Sequence, residues 1–175
     1  MADPWNLTAG TTALRLGGAA LFGAVIGFER EVDGHDAGLR THVLLALGSA
    51  LFGTLSVGAF GQFVLPRNST DLSIDPTRIA SYVAAGVGFL GGGAILKRTD
   101  RVRGLTTAAS LWVVAAVGLA AGLGFWAGAM IATGIAMLVL VAEFPLRRVT
   151  AKLHRAGEQR AAEVDPEERD GTITS

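Results

Sequence analysis

The chain has no cysteine, so no disulfide holds it together, and neither a thiolate metal site nor a cysteine nucleophile is available. Charge is scarce: Asp, Glu, Lys and Arg make up 17% of the residues, against roughly 25% in an ordinary soluble domain. What charge there is favours neither sign, with fifteen basic residues against fifteen acidic ones. That balance excludes a global field for nucleic acid. No Gly-x-Ser-x-Gly or His-Glu-x-x-His motif occurs, and the three histidines (35, 42 and 154) fall in loops or at membrane ends. An intramembrane enzyme is therefore not expected. The run Gly91-Gly92-Gly93 lacks the Lys and Ser/Thr that follow in a phosphate-binding loop, and it lies in an apolar segment.

What the chain does have is apolar length. Half of its 175 residues are hydrophobic, and 24 are glycine. Five stretches match the roughly 20 residues that a helix needs to cross a bilayer. They are residues 11–28, 42–65, 79–96, 105–123 and 125–142, and within them only Arg15 is charged. Helices that are apolar all round show no amphipathic stripe. Helix follows instead because lipid offers the backbone no other partner. The expectation is an all-α membrane protein with five transmembrane helices.

Lys and Arg set the orientation. Arg30 and Arg40 follow the first segment; Lys97, Arg98, Arg101 and Arg103 follow the third; Arg147, Arg148, Lys152 and Arg155 follow the fifth. These three regions share one side if all five segments span. The N-terminus is then outside and the C-terminus cytoplasmic. The first segment, with Asp3 ahead of it and no basic n-region, reads as a retained helix. Two regions are expected: a five-helix domain over 1–148 and a charged, largely disordered cytoplasmic tail over 149–175. The triplet Asn68-Ser69-Thr70 reads as an ordinary polar loop.

Glycines recur four apart. The pairs are Gly23 and Gly27, Gly88 and Gly92, Gly118 and Gly122, and Gly124 and Gly128. Small residues at this spacing let helix backbones approach closely in lipid. They are expected to pack helices, within the chain or in a homo-oligomer. The third helix carries the densest run and is a candidate for a local break.

Polar groups cluster at the segment ends, where function is most easily placed. On the cytoplasmic side stand Glu29, Arg30 and Glu31, then Arg40 and Thr41, then Arg103, Thr106 and Thr107. A carboxylate at a helix C-terminus faces the negative end of the dipole and wants a cation. Glu29 is therefore expected to pair with Arg40 or Arg103. Thr41, and Thr106 or Thr107, are expected to cap helix starts, and Ser110 to bond to the preceding turn or across to another helix. On the outer side, Asp75-Pro76 reads as the N-cap and first position of a helix, with Arg78 close by. The metal and anion readings of these groups stay open beside the structural ones.

Five phrases in this order resemble the MgtC/SapB family of bacterial membrane proteins. They are Gly-Phe-Glu-Arg-Glu (27–31), Ala-Gly-Leu-Arg-Thr-His (37–42), Asp-Pro-Thr-Arg-Ile (75–79), Gly-Val-Gly-Phe-Leu-Gly-Gly-Gly (86–93) and Val-Arg-Gly-Leu-Thr-Thr-Ala-Ala-Ser-Leu-Trp (102–112). The resemblance implies a five-helix inner-membrane domain without the small cytoplasmic domain of longer members. The virulence-associated branch has Asn where this chain has His42 and Thr106. Family likeness further implies a link to growth in low magnesium. It points to a regulator acting on other membrane complexes, the proton-translocating ATP synthase among them, with an oligomeric Mg²⁺ transporter as the competing reading. Membrane lipids and a second copy are the other expected partners. No cofactor is expected, and Mg²⁺ is a candidate ion only.

Overall fold

The computed structural model describes residues 7–63, 75, 78–98 and 101–142. Five helices account for most of them: α1 (Ala9–Val32), α2 (Leu39–Phe63), α3 (Arg78–Ala94), α4 (Leu105–Leu123) and α5 (Trp126–Ala142). By length and composition α1, α2 (over Leu39–Gly58) and α4 can cross a membrane, and α5 is a shorter apolar helix. The chain divides into two compact units, Met1–Met137 and Leu138–Ser175. Helices α1 to α4 and most of α5 belong to the first. The expected tail and its boundary at 148/149 lie outside the described residues.

The helix ends have local causes. Thr8 and Thr11 form a reciprocal capping box at the start of α1. Gly34 stops α1 with φ +69°: its N–H donates to the Glu31 carbonyl at 3.1 Å, and His35 N–H to the Arg30 carbonyl at 3.0 Å. Gly124 ends α4 the same way, with Gly124 N–H on Ala121 and Phe125 N–H on Ala120. This pattern needs a left-handed residue, which only glycine adopts cheaply. Gly124 is thus a helix stop, whereas its spacing from Gly128 suggests a packing role. α4 starts at Gly104, also left-handed, with no side-chain cap. The expected threonine caps are absent there: Thr106 is exposed and Thr107 buried. Between α3 and α4 a two-stranded antiparallel ribbon, β1 (Leu96–Arg98) and β2 (Arg101–Arg103), replaces the expected plain loop.

Glycine governs how the helices pack. A Cβ at Gly23 would lie 2.8 Å from the Cβ of Ala46, and one at Gly27 2.9 Å from the Cα of Leu39. Positions rise on α1 as they fall on α2, so the two are antiparallel neighbours. A Cβ at Gly118 would strike the Ala46 carbonyl, and one at Gly122 the Ala50 carbonyl. α2 and α4 therefore run in the same direction, backbone against backbone. Gly53, not singled out by spacing, abuts the Leu119 carbonyl from the other side. Ala19, Ala50, Val117, Ala121 and Ala129 form the core there. Phe22 of α1 and Trp126 of α5 pack on it with ring centroids 6.4 Å apart.

α3 departs from expectation. It is unbroken over Arg78–Ala94. It leans on α4 and touches α2 only slightly. Gly91 faces α4, 3.6 Å from the Ala108 Cβ, while a Cβ at Gly88 or Gly92 would meet nothing within 4 Å. The four-residue spacing on α3 therefore marks an open face within the described chain, not a packed one. The space a Cβ would take at Gly128 is filled by the Phe125 ring.

Candidate functional site

Two buried polar clusters join the helices. In the first, α2 opens at Leu39, whose N–H donates to Glu31 Oε2 at 2.9 Å. The carboxylate of Glu31 thus satisfies one of the free donors at the start of α2, while Thr41 is exposed. One turn on, His42 is fully buried. Its Nδ1 donates to the Gly38 carbonyl at 2.9 Å. A carbonyl can only accept, so in the neutral ring the proton sits on Nδ1 and Nε2 is the acceptor. Ser110 Oγ on α4 lies 3.0 Å from Nε2 and 2.9 Å from the Thr107 carbonyl. One hydroxyl proton therefore serves two acceptors. The order serine, imidazole, carbonyl resembles a nucleophile with its base and orienter. With His42 at 0% and Ser110 at 5% exposure no substrate reaches it, and the pair acts as a link between α2 and α4.

At the neighbouring end of α1, the guanidinium of Arg30 is fully buried. It grips Glu29 with both arms, Nη2 to Oε1 at 2.8 Å and Nε to Oε2. Glu29 therefore pairs with its own neighbour and not with Arg40 or Arg103, both of which are exposed. The planar fork of arginine matches a carboxylate two bonds at a time, and an arginine already buried in the last turn of α1 forms that pair without drawing in a long surface side chain. Of the eight candidates expected on the cytoplasmic side, Arg30 and Thr107 are buried and Glu29 is half-buried. Glu31, Arg40, Thr41, Arg103 and Thr106 are exposed.

The second cluster closes the other end of α4. The Gly122 carbonyl belongs to the last turn, where acceptors lack intrahelical partners. Arg15 Nη1 donates to it at 3.1 Å, and Thr54 Oγ1 donates to it at 3.3 Å and to the Ala50 carbonyl at 2.8 Å. A cation there also faces the negative end of the α4 dipole. Arg15, the lone charge in the first apolar segment, is thereby a C-terminal cap for a helix more than a hundred residues away in sequence. Of the candidates expected on the outer side, Asp75 and Arg78 are exposed, and Arg78 N–H donates to the Asp75 carbonyl at 3.3 Å.

Ser110 does both things expected of it, bonding the preceding turn at Thr107 and crossing to His42 on α2, whereas His42 and Thr54 are polar residues whose interhelical role the sequence does not reveal. Their signal is a hydroxyl or imidazole inside an otherwise apolar helix, but the partner lies 68 residues away in each interhelical bond. Among the described residues no group of three or more His, Asp or Glu is placed to hold a metal ion.

The family model described as the MgtC family matches residues 16–149. A protein of Escherichia coli strain K12 carrying the name "Putative magnesium transporter YhiD" is 43% identical over 127 residues, which cover 73% of this chain and 58% of that protein. Protein MgtC of Brucella abortus strain 2308 is 43% identical over 138 residues, 79% of this chain and 53% of that protein. The chain thus matches little more than half the length of these curated relatives. No solved structure matches.

Proposed function

The chain belongs to the MgtC family, and from that premise we propose that it serves adaptation to low magnesium by binding and regulating other complexes in the bacterial inner membrane. It is a membrane protein, with three helices long and apolar enough to cross a bilayer. The proposal includes α3 and α5 as further spans, giving five, with the N-terminus outside and the C-terminus cytoplasmic.

One observation carries the regulatory reading. The fully charged side chains buried among the described helices are those of Arg15 and Arg30, and the Gly122 carbonyl beside Arg15 is already engaged. A Mg²⁺ path wants carboxylate and carbonyl oxygens along its length. The Arg15 guanidinium repels a cation, the Arg30 charge is matched by Glu29, and helix backbones in contact at Gly118 and Gly122 leave no passage between α2 and α4. The competing reading, Mg²⁺ transport by an oligomer, is favoured by the name of the Escherichia coli relative. Glu29, Glu31 and Asp75 would be its ligands.

Reconstitution separates the two. The full chain, folded and inserted in liposomes, is expected to give no Mg²⁺ flux above empty vesicles, and to retain membrane complexes in a pull-down from mild detergent. Robust flux that falls on Glu29→Ala with Asp75→Ala would replace regulation by transport.

A further inference from the structure

A cavity of about 660 Å³ opens between α2 and α3, within the usual range of ligand cavities, roughly 300–1,000 Å³. Its walls are almost wholly apolar. Leu45, Phe52 and Leu55 come from α2, and Val83, Val87 and Leu90 from α3. Two of the lining positions lack side chains. Gly48 and Gly86 both line it, and a Cβ on either would meet nothing within 4 Å.

Its shape selects an occupant. On α2 the lining runs from Leu44 to Leu55 and on α3 from Ile79 to Leu90, about 16 Å along each helix at 1.5 Å per residue. One leaflet of a bilayer is about 15 Å of hydrocarbon. A slot of one leaflet's length with almost wholly apolar walls suits a single hydrocarbon chain.

A cation adjoins the lining in sequence at one end of the slot. Arg78 opens α3 beside the lining residue Ile79, one turn before Tyr82, which also lines the slot. Residues four apart share a helix face. Arg78 is exposed, and no ion pair engages its guanidinium among the described residues. A guanidinium at this level meets lipid phosphate with two parallel bonds.

We propose that the α2–α3 slot holds one acyl chain of an anionic phospholipid of the surrounding bilayer, with the lipid phosphate on Arg78. This rests on α3 lying in the membrane but not on the regulatory role, and lipid retention reads it independently of flux or partner capture.

The test is native mass spectrometry of the full chain in detergent, titrated with phosphatidylglycerol and, separately, phosphatidylcholine. The chain is expected to keep one phosphatidylglycerol, at least tenfold tighter than phosphatidylcholine. Gly48→Leu and Gly86→Leu put side chains into the slot at positions where a Cβ meets nothing within 4 Å, and each is expected to weaken retention at least tenfold with an unchanged circular dichroism spectrum. Arg78→Gln is expected to lower phosphatidylglycerol to the level of phosphatidylcholine. Gly88→Leu, equally open but absent from the slot lining, is the control and should bind as the parent does. Slot variants that bind like the parent would overturn the proposal, as would a Gly88→Leu that loses lipid equally. A change in oligomer mass with lipid retention intact would overturn it in favour of a second copy as the occupant. Equal affinity for both lipids would overturn the role of Arg78.

Discussion

His42 on α2 and Ser110 on α4 meet through Nε2 and Oγ at 3.0 Å, inside an apolar bundle and 68 positions apart in sequence. The Gly38 carbonyl orients the ring from behind. Gly27 of α1 lets the backbone come up against the His42 side chain, since a Cβ there would lie 2.8 Å from the His42 Cβ. Three helices are thereby registered on one imidazole.

The first prediction concerns that bond. Interhelical hydrogen bonds within a membrane average about 0.6 kcal/mol and reach about 1.7 kcal/mol. Ser110→Ala leaves Nε2 of a fully buried imidazole without its donor, which places this bond toward the upper end. Ser110→Ala and His42→Phe are each expected to destabilise the chain, and the double variant by less than their sum, with a coupling of about 1–2 kcal/mol. Equilibrium unfolding in mixed micelles measures it. Strict additivity would mean that the two side chains do not interact.

Much of the fold is legible in the sequence, and the limits have physical causes. The fourth segment, 105–123, coincides with α4 (Leu105–Leu123), because glycine brackets an uninterrupted apolar run. The first helix extends beyond its apolar segment at both ends. Its last turn, through Val32, is charged and so lacks the apolar signal, although Gly34 marks the stop. Spacing finds Gly23, Gly27, Gly118 and Gly122 at real helix contacts, but the same spacing at Gly88 and Gly92 has no neighbour. A small-residue stripe records that a helix can be approached, not that anything approaches it. Glu29 takes its cation from the next position in the chain instead of from another helix. Residues adjacent on a helix do not normally face each other; here both side chains bend to do so. His42 with Ser110, and Arg15 with Gly122, depend on tertiary approach that no local pattern encodes.

Arg15 should behave as a cap. Its guanidinium bonds a terminal carbonyl of α4, and a hydrogen bond from a charged donor contributes about 1.5–3 kcal/mol. Arg15→Ala is expected to lower stability by about that amount and to raise amide exchange selectively over 120–124, where the helix stop resides. Arg15→Lys, with one point charge in place of the fork, should fall between. Uniformly raised exchange throughout the chain would instead indicate a general packing loss.

Glycine-to-alanine changes should sort by contact. At Gly118 the new methyl strikes the Ala46 carbonyl, and the colliding atom is backbone that cannot rotate away. Gly118→Ala is expected to cost about 1–3 kcal/mol, as overpacking does. Gly88→Ala meets open space and removes a flexible residue from a helix interior, so it should be neutral or stabilising by up to about 1 kcal/mol. Thermal unfolding of the two variants side by side decides it; equal losses would mean that α3 is packed on this face.

The proposed topology can be read directly because the chain has no cysteine. Single cysteines at exposed positions 36, 75 and 103 then report on a silent background. If α2 and α3 each span, residue 36 before α2 and residue 103 after α3 lie on the same side, with residue 75 between the two helices on the other. In whole cells a membrane-impermeant maleimide is expected to label Asp75→Cys, and to label Asp36→Cys and Arg103→Cys only after the membrane is opened. The Lys and Arg bias argues for this arrangement, and Asp36 and Arg103 flank α2 and α3 without contributing to the buried His42 and Arg15 bonds. Labelling of Asp75→Cys and Arg103→Cys but not Asp36→Cys in intact cells would show that α3 does not span. Reversed labelling would invert the bundle and place Glu31 and His42 toward the outer face.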